Sequence, residues 1–223
     1  MAEYRIVVLA SGRGSNLRAL LDAQWQGRLG GGRVVCVASN RPDCKAVQIA
    51  EDEQVETLAF DPRDFTSREG FDQTLLGLAM ERKPDLVVCA GFMRVLSADS
   101  VQLAEGRMIN IHPSLLPKYP GLKTHERALA AGDLEHGCSV HQVIPEVDAG
   151  QVIAQARVPV LPGDDAQSLT DRVLAREHPL LVASVRAFAE GRLTAGPSGV
   201  AWRGIPLHIP LSLDDQDRLA ETR

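Results

Sequence analysis

Apolar, β-branched runs recur along the chain at Arg5 to Leu9, Arg33 to Ala38, Val55 to Phe60, Asp85 to Ala90, Arg107 to Ile111 and Ser139 to Ile144. Between most of them lie longer stretches whose apolar residues fall three and four apart, at Leu17 to Gln26, Ala46 to Glu53 and Phe71 to Arg82. The short runs are apolar throughout rather than alternating, which is the pattern of strands covered on both faces. Strands of that kind separated by amphipathic helices predict βαβ units: an α/β fold with an open, mostly parallel twisted sheet and helices on both faces. The rhythm changes after Gly137. Val140 to Ile144 and Val152 to Val158 are separated by a short loop holding Pro145, Asp148 and Gly150, which predicts an antiparallel pair extending one edge of the sheet. A long helix is expected from about Asp165 to Glu190, with Leu169, Val173, Leu174, Leu180, Leu181 and Val185 on its apolar side. Pro179 should kink or divide it. From Thr194 onward the chain is rich in Gly, Pro and charge, so 193–223 is expected to be an irregular tail after a domain spanning 1–192.

The length of 223 residues fits a single α/β domain with some decoration. Lys and Arg total 24 against 29 Asp and Glu, a formal charge of −5. That balance argues against affinity built on neutralising nucleic-acid phosphates. The first apolar run, Ile6 to Ala10, is too short for a signal-peptide core, and no later run approaches the roughly 18 apolar residues of a membrane helix. A cytoplasmic protein without a nucleic-acid or membrane partner is the economical expectation. Cys36, Cys44, Cys89 and Cys138 are scattered without close pairs, so neither a metal site nor a disulfide is expected.

Two loops carry candidate chemistry. The first strand runs through Ser11-Gly12-Arg13-Gly14-Ser15-Asn16 straight into a helix. Glycines at 12 and 14 permit a tight turn, Ser15 or Asn16 can cap the helix, and its free N–H groups make a natural seat for a phosphate. Leu17 stands where the dinucleotide fingerprint needs a third glycine, and the Gly-Lys-Ser/Thr of a P-loop is missing. A seat for one terminal phosphate and a plain strand-to-helix turn are both compatible with the segment. The second loop follows the fifth strand, Asn110 to Gly121, and contains three prolines. Alternation puts Asn110 and His112 on one face, about 7 Å apart by the strand rise. An amide donor beside a group titrating near neutrality can bind an oxyanion and exchange a proton with it. Asp148, on the loop after the next strand, can supply a carboxylate to orient the imidazole. All these positions fall at strand ends, where open α/β sheets bind ligands.

The segments SGRGSN (11–16), AGFMRVLS (90–97), NIHPSLLPKYPG (110–121), HGCSVH (136–141) and VDAG (147–150) occur together in this order in the phosphoribosylglycinamide formyltransferases, and from the first strand to about Arg192 the chain resembles that family. The resemblance implies a Rossmann-like formyltransferase fold over 1–192, with Asn110, His112 and Asp148 as the catalytic trio. Gly14, Ser15 and Asn16 would take the substrate phosphate, and Glu177 would contact the ribonucleotide. Met93, Arg94, Val95 and Leu96 would wall the pterin pocket, with Arg68 and Asn110 also on the folate side. From their residue types alone, Met93, Val95 and Leu96 read as core, and Arg68 and Glu177 as solvated helix charges. Ala149 stands where close bacterial relatives have a glycine, and Lys123 where a histidine is common.

The reaction implied by the resemblance is formyl transfer from 10-formyltetrahydrofolate to the amine of glycinamide ribonucleotide, a step of purine synthesis. It needs no metal and no tightly bound cofactor, because the folate is a cosubstrate. Asn110 would donate to the oxyanion and an imidazolium at His112 would stabilise it; either His112 or a water held by Asp148 would move the proton. The partners implied are these two small molecules, for a monomer or homodimer. A formyltetrahydrofolate deformylase would use the same trio on water but usually carries an N-terminal regulatory domain, and here the first strand begins at Arg5. A methionyl-tRNA formyltransferase normally adds a C-terminal RNA-binding domain, for which the acidic tail is unsuited. A non-enzymatic nucleotide-binding module would need the glycine loop but not the trio.

Overall fold

The computed structural model describes residues 3–104 and 106–222. Its main sheet starts with β1 (Tyr4–Leu9), β2 (Gly32–Ser39), β3 (Glu56–Ala59), β4 (Leu86–Cys89) and β5 (Met108–His112), joined in parallel in the order β5-β4-β1-β2-β3. The crossovers are α1 (Ser15–Trp25), α2 (Lys45–Asp52), α3 (Arg68–Glu81) and the short α4 (Ala98–Leu103). Successive residues of β1 serve opposite faces: Ile6 and Val8 enter the core beneath α1 and α2, and Val7 and Leu9 the core beneath α3 and α4. All four are fully buried, which is why the strand is apolar without alternation. The chain leaves β1 towards one side of the sheet and returns through β4 on the other. The carboxyl ends of β1 and β4 therefore flank a topological switch point, the place where such sheets form ligand crevices.

Beyond β5 come α5 (Thr124–Ala130), β6 (Glu135–Gln142), β7 (Val152–Pro159) and α6 (Ala166–Ala189). The antiparallel extension is present, since β6 pairs antiparallel with both β5 and β7. Its bounds differ from the sequence reading: β6 begins at Glu135 and ends at Gln142, leaving Val143 and Ile144 to the loop. Pro179 does not divide α6, which runs as one helix of 24 residues from a capping box between Asp165 and Ser168. Its start is fixed by that cap, and Leu180, Leu181 and Val185 after the proline are fully buried. Burial of this kind offsets the missing backbone donor. Among the described residues no helix is long and apolar enough to cross a membrane.

The expectation of an irregular tail is corrected. Beyond Arg192 the chain forms β8 (Leu193–Gly196), β9 (Gly199–Trp202) and β10 (Ile205–Pro206) as a small antiparallel sheet. It then adds β11 (Leu211–Leu213) parallel to β7, and β12 (Leu219–Ala220) on the outside. The tail, not the β6–β7 pair, forms that edge of the nine-stranded sheet. These strands are two to four residues long and depend on tertiary contact: Trp202 is buried between the guanidinium groups of Arg192 and Arg203, and Leu193, Val200, Leu207 and Leu211 join the core.

Candidate active site

The β5–β6 register places Asn110 opposite His141 and His112 opposite Ser139. Ser139 binds the proline-rich loop, donating to the Ser114 carbonyl at 2.7 Å and accepting from the Leu116 N–H at 3.0 Å. The loop then turns back over the sheet, and the Tyr119 carbonyl accepts from His112 Nε2 at 2.9 Å. A carbonyl can only accept, so Nε2 carries a proton and Nδ1 is the remaining lone-pair site. Nδ1 faces Asp148 Oδ2 at 3.4 Å. Asp148 itself accepts from the Gly121 N–H at 2.8 Å, which ties the β6–β7 loop to the end of the proline loop. The chain thus brings Asn110, His112 and Asp148 together from three separate segments, all lining one cavity of about 580 Å³.

His141 is a fourth member that the sequence reading left without a role. Its Nδ1 donates to the Gln142 carbonyl at 2.9 Å, so Nε2 is free to accept from Asn110 Nδ2 at 3.0 Å. Asp148 Oδ1 lies 3.5 Å from the same Nε2, too far to displace that bond. In the sequence His141 looks like one more residue of a buried strand, and only the register with Asn110 gives it a function.

Burial lowers the His112 pKa below the ordinary histidine value, outweighing the Tyr119 bond and the Asp148 charge that favour the cation. Burial works the other way on the Asp148 carboxyl, yet the Gly121 N–H bond and any positive charge on the facing imidazoles hold its pKa below the usual carboxylate range. The resting pair is therefore a neutral imidazole, with Nδ1 unprotonated, against a carboxylate. A proton arriving at Nδ1 meets a negative charge already in place. Behind this pair His136 donates to Pro113 and binds His125, and burial followed by the His125 charge takes its pKa down to about 4.

The cavity wall opposite is apolar. Met93 is 70% and Val95 48% exposed, while Leu96 is buried. All three line the cavity, so two of them are not core residues. Arg94 also lines it, but its guanidinium donates to the fully buried Asp72 at 2.5 Å and to the Arg68 carbonyl at 3.1 Å, and lies over the Phe71 ring. Leaving a buried carboxylate unpaired costs roughly 3–5 kcal/mol, so Arg94 braces the segment as well as walling the cavity. Arg68 opens α3 at the rim, outside the cavity lining, and donates to the Val95 carbonyl. Lys123 also lines the cavity; it has φ +58 and precedes α5.

The glycine loop stands beside the cavity without lining it. Ser11 connects the two, its Oγ donating to Asn40 at 2.5 Å and accepting from the Met93 N–H at 2.9 Å. The cap expected from Ser15 or Asn16 is not formed. The N-cap is Gly14, at φ +74, and no side chain occupies the N-terminus of α1. The cause is steric: a Cβ on residue 14 would stand 2.8 Å from Ala46 Cα, so α1 starts where only glycine fits. Asn16 instead donates to Glu177 Oε1 at 2.6 Å, and its own buried Oδ1 has no partner among the described residues. Burial raises the Glu177 pKa, with the Asn16 bond and Arg13 opposing the rise. The loop therefore offers uncapped helix N–H groups for an anion and, beside them, Asn16 Oδ1 and the Glu177 carboxyl as acceptors for hydroxyl donors.

Gly14→Ala is expected to lower both stability and the affinity for an anion seated on the N–H groups that open α1. The left-handed backbone alone costs a side chain about 1–2 kcal/mol, and each 1 kcal/mol lowers Tm by about 2–4 °C in a chain of this size. Thermal unfolding together with the KM for a phosphorylated substrate checks this; an unchanged Tm and KM would return the loop to an ordinary turn.

Residues 4–185 match the family profile described as formyl transferase. Over 188 residues, 84% of this chain and 88% of the relative, the sequence is 47% identical to the phosphoribosylglycinamide formyltransferase of Escherichia coli (strain K12). It is 49% identical over 175 residues to the trifunctional purine biosynthetic protein adenosine-3 of Drosophila melanogaster, covering 78% of this chain and 13% of that much longer one. Among solved structures, the phosphoribosylglycinamide formyltransferase of Coxiella burnetii, in complex with CHES, superposes with a TM-score of 0.87 at 44% identity, covering 92% of this chain and 96% of that one. Glycinamide ribonucleotide transformylase 1 of Symbiobacterium toebii does so with a TM-score of 0.84 at 42% identity, covering 90% and 94%.

Proposed function

The chain belongs to the formyl transferase family, and from that membership we propose that this enzyme transfers the formyl group of 10-formyltetrahydrofolate to the amine of glycinamide ribonucleotide, in purine biosynthesis. The observation that carries the reading is the convergence of Asn110, His112 and Asp148 on one wall of an apolar cavity beside the glycine loop. The cavity suits the pterin: Met93, Val95 and Leu96 offer a flat aromatic ring an apolar wall. The ribonucleotide would lie along the glycine loop, its phosphate on the N–H groups after Gly14 and its hydroxyls near Asn16 Oδ1 and Glu177.

The chain's groups then divide the reaction. Asn110 gives one amide hydrogen to His141 and has the second for the formyl oxygen as it becomes an oxyanion. His112 Nδ1 takes the proton released when the substrate amine attacks the formyl carbon. Asp148 stabilises the imidazolium that results, and His112 returns the proton to the folate nitrogen as its bond to carbon breaks. One N–H is lost from the amine and one gained by the folate, so the enzyme ends as it began. This assigns the proton to His112 in preference to a water held by Asp148, because the resting imidazole is neutral and has a lone pair facing the carboxylate. The folate supplies the formyl carbon as a cosubstrate.

Deformylase chemistry with water as nucleophile is the reading to exclude. An assay of 10-formyltetrahydrofolate turnover with and without glycinamide ribonucleotide decides it. Turnover is expected only with the nucleotide, with formylated product in equal amount. Formate release at the same rate without the nucleotide would overturn the proposal.

A further inference from the structure

The loop that presents Asp148, residues 143–150, is gripped at both ends by the C-terminal segment. Gln142 closes β6 before the loop and Gln151 follows it. The Gln142 N–H donates to the Gln151 carbonyl at 2.9 Å, and a Cβ on Gly150 would stand only 1.8 Å from the Gln142 oxygen, so the base of the loop is pinched shut. Both side chains then leave the loop for the tail. The buried Gln142 donates to the carbonyls of Gly106 and Gly196, each at 2.9 Å. Gly106 leads into β5, and Gly196 ends β8. Gln151 accepts from the Val200 N–H of β9 at 2.9 Å and donates to the Leu207 carbonyl.

The loop between these anchors has little of its own to fix it. Its internal backbone bond is a long one, from Ala149 N–H to Glu146 at 3.4 Å, and Asp148 sits in the left-handed region at φ +53. A non-glycine residue holds that conformation only where its surroundings impose it. On the other side of the site, Arg176, immediately before Glu177, donates to the carbonyls of Leu213 and Asp214 at 3.3 and 2.9 Å. The tail thus touches the frame of the site at three points.

We propose that the C-terminal segment 193–213 is a positioning element of the active site, with Gln142 and Gln151 as positioning residues that set Asp148 against His112. The inference rests on the reading of Asp148 as a working carboxylate and extends it to residues 45 or more positions further along the chain. A merely structural role would affect folding stability without acting through Asp148.

Gln142→Met and Gln151→Met keep length and packing volume while removing the amides. In the full-length chain, kcat, both KM values and Tm are measured for each, alone and combined with Asp148→Asn. With Asp148 present, each is expected to lower kcat by about 10- to 100-fold, the scale on which displaced catalytic groups act. The ribonucleotide KM should stay constant. In the Asp148→Asn background the further loss should fall below about twofold, because groups acting through one residue are not additive. Equal fold-losses in both backgrounds, or a lower Tm at full kcat, would overturn the inference. If Gln151→Met does not fold, Gln151→Glu serves in its place, keeping the acceptor for Val200 and removing the donor to Leu207. Should Asp148→Asn alone retain full kcat, the reading of Asp148 fails; should it be slow while both glutamine variants run at full speed, only the positioning inference fails.

Discussion

His112→Ala is expected to lower kcat by about 10²–10⁴-fold, the range of a positioned general acid–base group. The variant removes the Nδ1 lone pair that faces Asp148 and leaves the proton of the attacking amine without a receiver. It should fold, because its other ring contacts are a bond to the Tyr119 carbonyl and the edge-to-face packing on His141, and Tyr119 is independently held through Asp133. Steady-state kinetics beside a thermal melt separate the two effects; a folded variant within a few-fold of wild-type kcat would remove His112 from the chemistry. The pH dependence follows from the same geometry. The neutral imidazole is the active form, and burial places its pKa below the ordinary value of 6.5. Activity should therefore rise with pH along an acid limb centred below 6.5 and stay flat through neutrality. Activity that fell as pH rose through that range would mean that the protonated ring is the working form, and an acid limb centred above 6.5 would mean that burial does not set the pKa of the working base.

The central sheet is legible because its signal is local. Ile6 to Leu9, Cys36 to Ala38 and Leu86 to Cys89 are buried on both faces, and burial of that kind leaves continuous apolar runs in any context. What escapes the sequence is structure that exists only by contact. The strands after Arg192 are short and interrupted by glycine and proline, and no local propensity favours them; their partners are β7, Gln142, Gln151 and the arginines beside Trp202. The helices α4 and α5 span six and seven residues, too few for a periodic signal. The site divides in the same way. Asn110 and His112 stand two apart on one strand, so their shared face follows from the pleat. His141 lies 31 positions away, and the antiparallel register that puts it against Asn110 cannot be read from either segment alone. The resemblance implies a folate role for Arg68 and Arg94, yet their guanidinium groups bind Val95, Asp72 and the Arg68 carbonyl here, which residue type does not foretell.

Asn110→Ala should cost about 10²–10³-fold in kcat, as the loss of one oxyanion donor does elsewhere. The orientation of the amide makes the test sharper than a simple truncation. His141 gives its Nδ1 proton to the Gln142 carbonyl, and its Nε2 lone pair accepts from Asn110. Turning the amide over would set its oxygen against that lone pair, so His141 selects the orientation in which an N–H is the free group. Asn110→Asp keeps the size of the side chain but replaces the donor with an acceptor, and at neutral pH with a negative charge. It would face both the His141 lone pair and the developing oxyanion. The aspartate variant should therefore be at least as slow as the alanine one, although it is the more conservative change in volume. Because the donor acts on charge that forms only during the reaction, the ribonucleotide KM should move little in either variant. Measuring kcat and both KM values for the two variants side by side checks this. If Asn110→Asp kept wild-type kcat, the amide could not be donating to an oxyanion, and Asn110 would be left as the partner that fixes His141.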